Sequence, residues 1–261
     1  MNATTRPDAP EARPRDMVAK ALALLTRLGG HPEGAAAAEL GRECELPLST
    51  AHRLLGALVR DDYVEFDPAT RRYRLGLTVY RLSQRVAQAR GISGMAGPVL
   101  EEVSEVTHEA TLMAVRDGDR QLYVHYIAGP QGVTVIGRPG AHGPLHCTAQ
   151  GKVLVALADD TAREQLIDTL ELTSMGPQSI TDREAFRSEI QATRERGWAI
   201  ADEEHEAGIR AVAVPVLIDG VAAAAISTAA PAYRLTTEQL IECVPTLQDA
   251  ASRIAVLMPA R

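Results

Sequence analysis

Between residues 47 and 58 the apolar positions are Ala51, Leu54, Leu55 and Leu58, the i, i+3, i+4, i+7 spacing of a helix with one buried face. Pro47 breaks whatever precedes it, and Ser49 is placed to cap the new helix. The opposite face carries Ser49, Thr50, His52, Arg53 and Gly56, which are short or hydrogen-bonding groups with a single guanidinium. A helix laid in a major groove needs such a surface, with little bulk and donors near its N-terminus. A solvated amphipathic helix has the same pattern, so the neighbouring segments decide between the two.

Upstream, Val18, Ala21, Leu22, Leu25 and Leu28 keep helical spacing until Gly29-Gly30 closes the helix. Ala35 to Arg42 predicts a short helix with Ala37 and Leu40 turned inward. The connection from Glu43 to Pro47 is as short as the turn of a helix-turn-helix. Downstream, Tyr63 to Phe66 and Arg72 to Leu75 alternate like strands around Asp67-Pro68-Ala69-Thr70, a turn by composition. Three helices followed by a hairpin make a winged helix-turn-helix, with Arg71 and Arg72 expected at the wing tip to grip phosphate. Domain by domain, the expectation is a disordered arm over 1–15, a DNA-binding head over 16–76 and a linker helix over 77–90. Gly91 and Gly94 break that linker, and a larger body occupies 91–261.

In the body, Val99 to Thr107 reads as a helix, and from Ala110 the period changes to two. Strands are expected at Thr111 to Arg116, Gln121 to Ile127, Gly132 to Ile136, Trp198 to Ala201, Ala211 to Ile218 and Val221 to Thr228. Asp219-Gly220 is the strongest hairpin signal. Helices are expected at Thr148 to Ala158, Thr161 to Leu170, Asp182 to Arg196 and Thr236 to Met258. The fold class is therefore α+β, an antiparallel sheet of about six strands with helices.

Charge supports the division. Residues 1–90 hold 14 Lys and Arg against 11 Asp and Glu, a net of +3, and residues 91–261 hold 13 against 23, a net of −10. The basic end coincides with the proposed DNA head, while a polyanion repels the acidic body. The head's excess is modest, so tight binding is expected to need two heads on one duplex. The three cysteines, Cys44, Cys147 and Cys243, are odd in number and widely spaced, which suits a reducing cytoplasm and gives no disulfide framework. The longest apolar run, Ala211 to Ile218, is too short to cross a bilayer.

Three stretches of the body hold candidate chemistry. The glycine-rich loop from Gly140 to Lys152 has His146 and Val153 where a phosphate-cradling loop needs Gly and Ser or Thr, so that reading is rejected. It still leaves backbone donors at a helix N-terminus, a site for a small carboxylate. His125, His142, His146, Cys147 and His205 could form a metal set or a Cys/His nucleophile. Metalloprotease spacing is absent after His108-Glu109 and His205-Glu206, and neither metal nor cofactor is expected. The run Asp202-Glu203-Glu204-His205-Glu206 is expected to send one member into a pocket mouth. From residues alone, the rival to a ligand-responsive regulator is a Cys147/His enzyme with an accessory DNA-binding head.

The order of motifs resembles the IclR family of bacterial transcriptional regulators. The matching segments are Leu-Pro-Leu-Ser-Thr-Ala-His-Arg-Leu-Leu (46–55), Arg-Tyr-Arg-Leu-Gly (72–76), Leu-His-Cys-Thr-Ala-Gln-Gly-Lys (145–152) and Arg-Gly-Trp-Ala-Ile-Ala-Asp-Glu-Glu (196–204). Gly-Ile-Arg-Ala-Val-Ala-Val-Pro-Val (208–216) and Ile-Ser-Thr-Ala-Ala-Pro-Ala-Tyr-Arg (226–234) complete the set. The resemblance implies a winged-helix head, a linker helix and a GAF-like domain that binds a small organic acid. It also implies a repressor of catabolic genes, dimeric or tetrameric, on a palindromic operator of double-stranded DNA. Its effector residues carry over as Val135, Ala149, Gln150, Ile209, Ala211 and Ser227, with an acidic position at Asp202. Two departures, Ala229 for a pocket serine of some relatives and Ala201 for an acidic contact, imply a more apolar pocket that favours an aromatic or longer-chain acid.

Overall fold

The computed structural model describes residues 16–89 and 96–258. The expected N-terminal arm and the glycine break at 91–94 lie outside the described residues. The chain forms two compact units that divide between Val86 and Ala87.

The first unit opens with α1 (Met17–Leu28), capped by Asp16, whose side chain accepts from the Ala19 amide. Next come α2 (Ala37–Glu43) and α3 (Leu48–Arg60). Gly41 keeps the chain close where α2 turns toward α3, since a Cβ there would crowd the Leu46 carbonyl oxygen at 3.2 Å. Leu24, Leu28, Leu40, Ala51, Leu55 and Val64 form the closed centre of this unit. Strands β1 (Val64–Asp67) and β2 (Arg72–Leu75) pair antiparallel as the wing. Asp67 sets the turn, accepting from the Ala69 amide and the Thr70 hydroxyl. The wing is tied to the helices by a two-way backbone bridge between Ala35 and Tyr73. The expected Ser49 cap is corrected: Pro47 holds the cap position of α3 without a side-chain bond, and Ser49 lies inside the helix.

Helix α4 (Leu77–Ala89) runs across the division and has no buried residue among those described. The second unit then follows as α5 (Ala96–Thr107), β3 (Ala110–Asp117), β4 (Arg120–Ile127), β5 (His142–Pro144), α6 (Ala149–Ala156), α7 (Asp160–Thr169), α8 (Arg183–Arg196), β6 (Ala199–Asp202), β7 (Ile209–Ile218), β8 (Val221–Pro231), α9 (Thr237–Glu242) and α10 (Val244–Leu257). The sheet is antiparallel throughout, in the order β5-β4-β3-β8-β7-β6. Period-two alternation divides it into unlike faces. Met113, Val115, Val212, Val214, Val216 and Ile226 pack against α5, α9 and α10. Ala201, Ala213 and Ala225 face α6, α7 and α8.

All eight residues of α6 are buried, Gln150 and Lys152 among them, so no side of it faces water. Gly151 permits the tight loop that enters it, since a Cβ there would meet the Leu145 carbonyl oxygen.

Two expectations fail in the body. Gly132 to Ile136 is not a strand, and the edge of the sheet is β5 instead. Pro130, Gly132, Gly137 and Pro139 interrupt the segment, and its carbonyls are met by side chains: Tyr126 donates to Val135 and Arg234 to Val133. The closing helix is two helices, because the chain breaks at Cys243 and Pro245 enters the first turn of α10, where no amide is needed.

Leu55 is fully enclosed by α1, α2 and the wing. Leu55→Ala is expected to destabilise the first unit by about 2–5 kcal/mol, read as loss of its transition in urea while the second unit unfolds as before.

Candidate nucleic-acid interface and ligand pocket

The exposed side of α3 carries Ser49, His52 and Arg53 in water, with Thr50 and Gly56 half-buried, while Ala51, Leu54 and Leu55 face inward. Arg53 reaches the Met17 sulfur at 3.4 Å, and His52 Nδ1 lies 3.4 Å from the Tyr73 hydroxyl. A Cβ at Gly56 would meet nothing within 4 Å. Nothing inside the protein therefore requires glycine there, although glycine costs a helix about 1 kcal/mol against alanine. The first turn of α3 has no side-chain cap, so its amides can meet an anion. Arg71 sits in the wing turn with φ of 56°. Arg72 opens β2, below the tip where sequence reasoning put it, and its guanidinium donates to the Gly34 carbonyl at 2.6 Å.

The second unit contains a cavity of about 230 Å³ on the alanine face of the sheet. Its origin lies in the strand register. Ala201 pairs with Ala211, Ala211 with Ala229, and Ala229 with Ala110, a row of methyl side chains across four strands. Missing side-chain volume in one row leaves a hollow, roofed by the segment 135–141 and closed on one side by the start of α6. Six of the seven carried-over effector positions line it: Val135, Ala149, Gln150, Ile209, Ala211 and Ser227. Asp202 does not, which corrects that assignment. Ala201 faces the cavity, so its neighbour on the strand faces away, and Asp202 pairs with Arg210 at 2.5 Å on the opposite face.

From the acidic run, His205 and Glu206 reach the lining rather than one residue. Burial holds the His205 imidazole below its usual pKa, so it is neutral at pH 7. Sequence reasoning missed Leu112, Tyr123, Arg138 and Thr148, all in the lining. Gln121 donates to the Tyr123 hydroxyl at 2.9 Å, and burial raises the Tyr123 pKa, keeping that group protonated. Ser227 is 2% exposed and lines the cavity. Arg138 is exposed at the mouth. The Thr148 hydroxyl caps α6 by accepting from the Gly151 amide.

Three residues of the Cys/His reading are each engaged by a partner outside that set. His142 bonds Asp117 at 2.8 Å, His146 bonds the Thr173 carbonyl at 2.9 Å, and Cys147 points its thiol at the Met175 sulfur, 3.8 Å away. Burial, reinforced by the charge of Glu204 and opposed by Lys152, pushes the Cys147 thiol up to about 12. A thiol with so high a pKa is not a nucleophile at neutral pH. Among the described residues, the His/carboxylate group with ligand atoms within 4.8 Å of one another is His31, Glu39 and Glu43 in the first unit, away from the expected set. No described helix is long and apolar enough to cross a membrane.

A winged helix-turn-helix joined to a ligand-pocket domain defines a DNA-binding transcriptional regulator with an effector domain. Family models place it further. Residues 17–68 match the IclR helix-turn-helix domain and residues 84–256 the bacterial transcriptional regulator IclR C-terminal domain, so the chain belongs to the IclR family. It is 31% identical to the HTH-type transcriptional regulator KdgR of Escherichia coli K12 over 92% of each protein. It is 34% identical to XynR of the same organism, over 66% of this chain and 68% of that protein. An IclR homologue of Microbacterium hydrocarbonoxydans, crystallised with 4-hydroxybenzoate, superimposes with a TM-score of 0.81 at 28% identity, covering 93% of this chain and 98% of that one. KdgR and XynR are both HTH-type transcriptional regulators.

Iodoacetamide is expected to label the half-buried Cys243 well before the enclosed Cys147, which should react only in denaturant. Mass mapping of adducts over time checks the order.

Proposed function

We propose that the protein is a repressor of catabolic genes that binds a palindromic operator as a dimer or tetramer and responds to a small organic acid with an aromatic ring. The observation that carries the ligand reading is the 230 Å³ hollow, with apolar walls and the N-terminus of α6 in its lining. A cavity of roughly 150 Å³ accepts benzene in another protein, so this volume suits one ring with a carboxylate. Uncommitted amides at the start of α6 favour the carboxylate, and the Ser227 and Tyr123 hydroxyls offer neutral donors. Ala201 and Ala229, where an acidic residue or a serine would add polarity, leave the floor apolar. The complex of the Microbacterium homologue with 4-hydroxybenzoate supports the aromatic class.

On the DNA side, α3 enters a major groove with Ser49, Thr50, His52 and Arg53 toward base edges and phosphates, and Gly56 allows the backbone to come close. Arg71 takes wing phosphates, and Arg72 holds the base of the wing through Gly34. Two heads on one duplex supply the affinity that one modestly basic head lacks. Effector binding favours one arrangement of the subunits by its differential affinity for the two, and operator affinity follows.

Arg53→Ala is expected to weaken specific operator binding at least roughly tenfold, the cost of one lost base contact, without changing the melting temperature. A mobility-shift titration with unchanged affinity ends the recognition-helix assignment. Ala229→Leu fills the hollow with a larger side chain. It is expected to abolish the thermal shift that an aromatic acid gives the wild type while operator binding is retained.

A further inference from the structure

Two of the most deeply enclosed charges belong neither to the DNA surface nor to the lining of the hollow. Lys152, on α6, is 1% exposed, and its Nζ lies 2.7 Å from Glu204 Oε1 and 3.1 Å from Glu189 Oε1. Glu189 has a second cation in Arg196, at 2.7 Å. Glu204 is 7% exposed, and its other oxygen, Oε2, is buried without a hydrogen-bond partner. Removing two charges from water is costly, and an apolar pair of similar volume often holds a core as well or better. Stability alone therefore does not account for the pair.

Its placement does. Lys152 follows Gln150 by two residues on the helix whose N-terminus lines the hollow, and Glu204 directly precedes His205 and Glu206 in the facing wall. The same wall is strapped from behind. The Gly176 amide and the Ser179 hydroxyl both donate to the Glu204 carbonyl, and Glu203 Oε2 accepts from the Gly208 amide at 2.8 Å. Lys152 thus ties the segment 203–208 to α6 at the point where the two walls converge.

We propose that the Lys152–Glu204 ion pair is a positioning device for the ligand pocket. It sets the distance between the His205 wall and the N-terminus of α6 so that both reach one bound carboxylic acid. This rests on the reading that the hollow binds such an acid. Neither residue touches the ligand, and the pair acts by preorganising groups that do.

The test uses the full chain and calorimetric titration with benzoate, 4-hydroxybenzoate, phenylacetate, pyruvate and glyoxylate, followed by the tightest binder of these. The double variant Lys152→Met/Glu204→Leu removes both charges at similar volume, and Glu189 keeps Arg196. It is expected to melt within about 3 °C of the wild type and to bind the acid roughly tenfold more weakly. Glu204→Gln keeps a hydrogen bond to Lys152 without the charge. Its expected affinity lies between the two, roughly threefold below the wild type, with the melting temperature unchanged. Wild-type affinity in the double variant overturns the proposal, as does a loss of affinity that only tracks a loss of thermal stability. If the double variant does not fold, Glu204→Gln decides alone, and unchanged affinity rejects the positioning role. Failure of the wild type to bind any of the five acids removes the ligand reading itself, and this inference with it.

Discussion

The architecture of the larger unit follows from one asymmetry in its sheet. The central strands send valines, isoleucine and methionine to one face and alanines to the other. Branched side chains fill the space under α5 and α10, as close packing requires. The alanine face lets α6 approach closely enough to be buried on every side, and beside the start of α6 the same small side chains leave a hollow. A larger residue at Ala201, Ala211 or Ala229 shrinks that space, so packing and binding capacity are two consequences of one pattern.

Electrostatics then assign roles within that frame. Around the hollow the ionisable groups are held neutral or kept exposed: His205 is depressed by burial, Tyr123 is raised by it, and Arg138 and Glu206 stay exposed. Full charges are buried only one layer behind, where Lys152 meets two carboxylates. A lining of neutral donors suits an amphipathic acid, because an unpaired charge inside the hollow would cost more than one such ligand returns. The same burial disarms Cys147. The Cys/His reading of the sequence was chemically reasonable from residue types alone, and it fails because the chain spreads those residues over separate partners.

Legibility differed between the two units for a physical reason. In the head, each element carries its own signal within about a dozen residues, so helices and wing could be read from periodicity, with errors confined to the capping of α3 and the placement of Arg72. In the body the strand from Gly132 to Ile136 was misread because its apolar residues serve the roof of a cavity, which leaves the same alternation as a strand. Asp202 was misplaced by one residue, and one residue in a strand reverses the face.

The sequence by itself determined the two-part organisation, the helix with a polar N-terminal face, and the alternation that makes an antiparallel sheet, because these are local periodicities of hydrophobic and polar residues. Only the tertiary structure decided which alanines align across four strands, which of the clustered acids and histidines turn inward, and that Lys152 finds Glu204 fifty-two positions away. Those outcomes depend on strand register and on helices packing from distant parts of the chain, and no local window of residues encodes them.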